Sequence, residues 1–244
     1  LEFREKLEGA TRRKICDTAT FCGSLLPALL FGVAFGNIFQ GLPMDDQVYH
    51  GSLLTLLNPY GVLTGVLFVG LFCVHGALWL AARPSGAFRP NALATAKRLW
   101  PPLLFLLAAF FVFTGFAAKL YDNFWAQPLW FVVLGLGVLS LFGVRHFAAR
   151  NRPPAAFRAS CLTVLSVVFT GFIGLYPHLI PSSLGVEYGL TIFNSSSSPY
   201  TLKIMTVAVE VFLPLAIICQ IWLYRIFSLP EVKNGNGRHN QEDY

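Results

Sequence analysis

The sequence predicts an all-α fold, a bundle of six helices that each cross a membrane, and three observations predict it. The first is composition: of 244 residues, 55% are hydrophobic and 12% charged, about half the charged share of an ordinary soluble domain. A soluble protein of this length needs far more charge to cover its surface. The second is length, because spanning the hydrocarbon core takes about 20 apolar residues and six stretches supply them. The third is the placement of basic residues, which gather in alternate connections between those stretches.

In chain order the stretches are about 17–41, 57–83, 99–121, 127–149, 158–180 and 200–228. A charged amphipathic segment runs up to Lys14 ahead of the first, and Pro27 inside it predicts a kink. Asn58 and Pro59 open the second, Asn58 as the N-cap and Pro59 at the first helical position, where its missing N–H costs nothing. The third and fourth are joined by a short link. The fifth carries Pro177 near its end, where a kink is again the default. Before the sixth comes a long, Ser-rich connection from Pro177 to Pro199, and its Asn194–Pro199 cluster falls where the N-cap of the last helix belongs. None of the six alternates with period two, so a β-barrel is excluded. Residues 1–228 thus read as one transmembrane bundle, and 229–244 as a polar tail expected to be disordered.

The charges test this count. Arg4, Lys6, Arg12, Arg13 and Lys14 precede the first stretch, and Arg83, Arg89, Lys97 and Arg98 follow the second. Arg145, Arg150, Arg152 and Arg158 lie between the fourth and fifth, and Arg225, Lys233 and Arg238 follow or end the sixth. Only Lys119 and Lys203 fall elsewhere, so 16 of the 18 basic residues lie on one side. By the positive-inside rule that side is the cytoplasm, and the C-terminus faces it. A net charge of +6 spread this way reports orientation, and nucleic acid is not an expected partner. The five cysteines, Cys16, Cys22, Cys73, Cys161 and Cys219, show no CxxC and lie in or beside apolar runs. Buried free thiols are expected rather than disulfides. No signal peptide is visible, and the first residue is Leu1, so the natural N-terminus is expected to lie upstream.

Several strings resemble one family. Leu1-Glu2-Phe3-Arg4-Glu5-Lys6 with Cys16-Asp17, then Gly32-Val33-Ala34-Phe35-Gly36-Asn37 with Gln40-Gly41, resemble the entry and exit of the fourth helix of cytochrome bd-type quinol oxidase subunit II. Leu57-Asn58-Pro59-Tyr60-Gly61 and His75-Gly76-Ala77 resemble the next helix, and Pro177–Ser183 with Thr191–Met205 the long loop and last helix. The set runs in the family's order from Leu1 to about Tyr224. The resemblance implies a subunit of about nine helices, of which this chain lacks the first three. It implies a heterodimer in a bacterial inner membrane, with haem b, haem d and the quinol-oxidising site on subunit I. It further implies a structural quinone in some members, and a small accessory membrane subunit is another partner to expect. Such a complex oxidises quinol and reduces dioxygen to water. A catalytic group on this chain is then not expected.

The residues themselves supply candidates. A haem inside a bundle needs two axial ligands at similar depth. His50, His146, His178 and His239 fall at or beyond helix ends, and only His75 is deep, so no metal or haem site is expected from this chain alone. His75 instead suits a helix-to-helix hydrogen bond. Glu210 lies near the middle of the last stretch, where a carboxylate costs on the order of 3 kcal/mol or more. Pro214, four residues on, frees the carbonyl of residue 210. Such a site could relay protons or meet a quinone oxygen; a neutral Glu bonded to a neighbouring helix is the plainer reading. Asp17, expected at a helix N-terminus, and Arg4 are the cytoplasmic proton-pathway candidates, with simple anchoring as the alternative. Asn37 and Gln40 share one helical face, and with Asn58 and His75 they are candidates for quinone contact or for interhelical bonding. The glycines Gly65, Gly70, Gly135, Gly137, Gly171 and Gly174 are expected to line a large apolar interface with a partner.

No GxGxxG, P-loop, GxSxG or HExxH occurs, so soluble-enzyme chemistry has no support. The competing function is a stand-alone transporter or channel using Glu210 and His75 as its ion pathway.

Overall fold

The computed structural model describes residues 10–46, 48–83 and 89–228. Leu1–Lys6, Arg4 among them, and the 229–244 tail lie outside the described residues. The elements in order are α1 (Ala10–Gln40), a hairpin of β1 (Met44–Asp45) and β2 (Val48–Tyr49), the single turn α2 (Leu53–Leu56), α3 (Pro59–Ala82), α4 (Arg89–Ala117), α5 (Asp122–Ala126), α6 (Phe131–Ala149), α7 (Pro153–Leu175), a second two-stranded pair β3 (His178–Ile180) and β4 (Leu190–Thr191), and α8 (Pro199–Ser228). Six helices are long and apolar enough to cross a membrane: α1, α3, α4, α6, α7 and α8. The fold is all-α, with two small antiparallel pairs in the connections.

The helices depart from the hydropathy limits for physical reasons. α4 starts at Arg89, ten residues before the expected 99, and runs through Pro101 and Pro102. The polar residues ahead of its apolar run continue the helix beyond the bilayer core, which hydropathy cannot register. α7 runs 153–175 instead of 158–180: Pro153 takes the first-turn position that suits proline, and Pro177 prevents continuation. α1 already includes Ala10, so Asp17 sits two turns inside a helix rather than at its N-terminus, and it does not cap that end. Asn58 does cap: its Oδ1 accepts a hydrogen bond from the Gly61 N–H at 2.7 Å, with Pro59 first in the helix.

The described residues fall into two compact units, one carrying α1–α7 and the other α8. In the larger, α3 is the hub and packs on α1, α4 and α7, while α6 pairs with α7. The α1–α3 crossing is backbone-close because each helix brings two glycines one turn apart, Gly32 with Gly36 and Gly61 with Gly65. A Cβ on Gly32 would stand 2.7 Å from the Gly65 Cα, and one on Gly65 would stand 2.8 Å from the Leu29 carbonyl. This is small-residue packing of the kind that holds helices together where lipid removes the hydrophobic drive.

The expected role of the glycines is therefore corrected. Gly65 meets α1, Gly70 meets Leu103 of α4, Gly137 meets Ser166 of α7, Gly171 meets Phe39 of α1, and Gly174 meets Leu120. These five serve packing within the chain. Only Gly135 of the six faces open space. The thiols are corrected as well: all five are free, but Cys22, Cys73 and Cys219 are exposed and Cys16 and Cys161 half-buried. A thiol is apolar enough for an outward, lipid-facing position and needs no core.

Polar ties complete the larger unit. The Trp100 indole donates to the Leu141 carbonyl at 2.9 Å, joining α4 to α6, and Tyr60 and Thr114 hydroxyls meet at 2.8 Å between α3 and α4. The Asn123 amide donates to the last carbonyls of α7, Ile173 at 2.9 Å and Tyr176 among them. At the same end the segment after α1 pairs with the segment after α7. Leu42 N–H donates to the Pro181 carbonyl at 2.9 Å, Ser183 N–H to the Leu42 carbonyl at 2.9 Å, and the Ser182 hydroxyl to the Met44 carbonyl at 2.5 Å.

Candidate functional site

Two features of the larger unit offer chemistry: a polar knot where α1 meets α3, and an apolar cleft beside it. In the knot, Asn37 is 5% exposed. Its amide donates to the Leu56 carbonyl at 2.7 Å and the Val33 carbonyl at 2.8 Å, and its carbonyl oxygen accepts from the Asn58 amide at 2.8 Å. Both asparagines are thus committed to helix–helix and capping bonds. Gln40 is exposed at the last residue of α1. Asn37 and Gln40 are three residues apart yet separate, because Asn37 falls on the centre of the α1–α3 seam and Gln40 on its outer edge. The structure brings Asn37 and Asn58 together and leaves Gln40 out.

The cleft has a volume of about 250 Å³ and is lined by α1, α3, α4, α6 and α7. Its walls are mostly rings and aliphatic groups, with Phe35, Phe39, Phe68 and Phe110 in contact as a chain of aromatic pairs. Phe31 and Phe172, 52% and 65% exposed, flank its opening. Among the described residues its polar lining comes from a stripe on α7. Thr163 donates to the Ala159 carbonyl and Thr170 to the Ser166 carbonyl. Ser166 is 5% exposed, and among the described residues its hydroxyl makes no hydrogen bond. This hydroxyl lines the cleft, where it is a ready contact for an acceptor oxygen on an otherwise apolar guest. The stripe was present in the sequence as Ser160, Thr163, Ser166 and Thr170 at helical spacing, and sequence reasoning passed over it.

His75 lies toward the basic end of α3. Its Nδ1 is 2.9 Å from the Ser160 hydroxyl of α7, and its ring packs on Phe157 with centroids 4.9 Å apart. The fit to haem is poor. In the larger unit no second His or Met stands at its depth on the described helices. Met44 is in the β-hairpin at the other end, His50 pairs with Asp45 at 2.5 Å in that hairpin, His146 lies in the last turn of α6, and His178 begins β3. Among the described residues no group of three His, Cys, Asp or Glu could hold a metal ion. Asp17 lies on α1 at the basic end, and Asn37 near the opposite end of the same helix, so the two share no site. Glu210 lies eleven residues into the 30-residue α8, four before Pro214, and the helix runs through that proline.

Outside the spans, burial pushes the Tyr121 phenol up to about 12, and its hydroxyl donates to the Phe111 carbonyl at 2.8 Å.

Comparison with known proteins identifies related chains. Residues 1–227 match the family described as cytochrome bd terminal oxidase subunit II. A probable cytochrome oxidase subunit 2 of Haemophilus influenzae is 30% identical over an alignment of 254 residues that covers 91% of this chain and 67% of that protein. The cytochrome bd-I ubiquinol oxidase subunit 2 of Escherichia coli K12 is 30% identical over 255 residues, with the same coverage. The cytochrome bd ubiquinol oxidase subunit 2 of Bacillus subtilis is 30% identical over 227 residues, 93% of this chain and 67% of that protein.

Proposed function

This chain belongs to the cytochrome bd terminal oxidase subunit II family, and we propose that it is the supporting subunit of a membrane-bound quinol:O2 oxidoreductase whose haems are held by subunit I. The match over residues 1–227 carries this reading. Two features of the structure support the division of labour. The deep His75 has one ring nitrogen engaged by Ser160, and its unit offers no second axial ligand at its depth on the described helices. The transporter alternative is not favoured, because the relatives named above are oxidase subunits.

When bound in the partner, haem supplies the electron transfer and dioxygen reduction. This chain's residues do other work. The glycine seam of α1 and α3 and the Asn37–Asn58 knot hold a rigid half of the complex. The cleft beside them excludes water and is suited to a structural quinone, its apolar tail against the Phe walls and a carbonyl oxygen accepting from the Ser166 hydroxyl. The basic end of the bundle faces the cytoplasm, which would place the C-terminus there. Glu210, with Asp17 and Arg4, remains the proposed set of proton-pathway residues, and a small accessory subunit completes the proposed partners.

Purification from membranes tests the central claim. The chain is expected to copurify with a haem-bearing polypeptide and a reduced-minus-oxidised spectrum. Isolation of a haem-free single chain from membranes that retain full quinol oxidase activity would refute it.

A further inference from the structure

We propose that the outward groove between α6 and α7 is a binding site for one anionic phospholipid of the leaflet at the basic end, with its phosphate on Arg158. The groove holds about 450 Å³ and is lined by Leu136, Leu139, Gly143, Phe147, Leu162 and Arg158. Its walls are apolar and face outward: Leu139 is 70% exposed and Leu162 43%. Gly143 lies at the floor, where α6 and α7 approach so closely that a Cβ would stand 3.6 Å from the Ala159 Cβ.

Length and charge together select the occupant. From Phe147 to Leu136 the groove follows eleven residues of α6, roughly 16 Å at the helical rise. Half of a bilayer's hydrocarbon core is about 15 Å. The trough therefore runs the depth of one leaflet and takes one acyl chain. Arg158 stands about 7 Å inside the start of α7, and its long stem lets the guanidinium reach back to the head-group level. Arg150 and Arg152 lie in the adjoining turn. No Asp or Glu occurs anywhere in 131–175, and among the described residues these three guanidinium groups have no carboxylate partner. Two other cations beside the groove are engaged elsewhere. Lys97 donates to the Asn151 side chain at 3.0 Å, and Arg145 lies over the Trp100 ring, 5.7 Å from its centroid. Basic pockets between transmembrane helices favour anionic head groups, and guanidinium meets phosphate in a bidentate fork. A zwitterionic lipid such as phosphatidylcholine offers the same phosphate but brings a choline cation into the arginine cluster, so the net negative head group is favoured.

Native mass spectrometry of the copurified complex released from nanodiscs of phosphatidylglycerol or of phosphatidylcholine tests the assignment. Retention of phosphatidylglycerol over phosphatidylcholine is expected to be about fivefold, the worth of one cationic contact at a membrane surface. Arg158→Gln is expected to abolish that preference. Leu139→Trp, which crowds the trough and leaves the charge, is expected to lower retention of both lipids. Equal retention of the two lipids by the unaltered complex, or an unchanged preference in Arg158→Gln, overturns the proposal. So does disulfide cross-linking of Leu139→Cys to the partner subunit in membranes, which would make the groove a protein interface.

Discussion

Asn58 gives its amide hydrogens to the Asn37 carbonyl oxygen at 2.8 Å while its own oxygen caps the first turn of α3 at Gly61. One side chain thereby fixes where α3 starts and how α1 lies on it. Replacing Asn37 with Leu leaves the Asn58 amide and the Leu56 carbonyl without this partner in a half-buried seam. Each orphaned group costs about 1–3 kcal/mol. Asn37→Leu is expected to lower the thermal midpoint of the detergent-solubilised complex more than Gln40→Leu, which alters an exposed residue. Equal shifts would show that the knot adds no stability.

The glycine seam gives a sharper contrast. Gly65→Leu forces the α1–α3 backbones apart, an overpacking cost of about 1–3 kcal/mol or more. Gly135→Ala adds a methyl where nothing lies within 4 Å. The first is expected to reduce the yield of assembled complex severalfold in membranes, and the second to leave it unchanged. Size-exclusion profiles of the solubilised membranes report both.

His75 and Ser160 tie α3 to α7. A double-mutant cycle with His75→Phe and Ser160→Ala is expected to show coupling of about 1 kcal/mol in thermal stability. The reduced-minus-oxidised haem spectrum is expected to stay unaltered in His75→Phe. Loss of a haem band would move an axial ligand onto this chain and reverse the proposed division of labour.

Quinone retention reads the cleft. Ser166→Val removes the unpartnered hydroxyl with little change in shape, and the lipid extract of the complex is expected to hold about tenfold less quinone per haem, the worth of one hydrogen bond to a buried acceptor. Glu210→Gln is expected to slow proton uptake during turnover while leaving quinone content as it was. Unchanged uptake would remove Glu210 from the proposed pathway.

Tyr121 sets a pH limit. Its folded value is raised from 10.0 to about 12, so below pH 10 both folded and unfolded phenols are protonated and its stabilisation is complete. Between pH 10 and about 12 the unfolded chain loses its proton first, and stability falls as pH rises. Thermal midpoints across that window are expected to decline less steeply in Tyr121→Phe than in the unaltered protein.

The six spans were legible because lipid imposes a length and an apolar composition that no other constraint imitates. Their ends were less so. Hydropathy marks the depth of oil, and α4 continues as helix for ten residues into polar sequence from Arg89 to Arg98. The N-cap at Asn58 was readable because a cap is local chemistry. The fate of Gly171 was not, since the glycine announces a close approach without saying that Phe39 of α1, 132 residues earlier, makes it. The same limit hid Ser160 behind His75 and left Ser166 unnoticed. Partners distant in sequence leave no mark on either segment.

The pairing of Leu42 with Pro181 and Ser183, reinforced by Ser182 on Met44 across 138 residues of chain, has a consequence for biogenesis. A ribosome adding about 5–20 residues per second needs on the order of ten seconds to make the second half of that clasp after the first. Until then α1 and the hairpin after it wait in the bilayer with this latch open, and a nascent chain stalled before Pro181 can bring α1 to α3 but cannot fasten it.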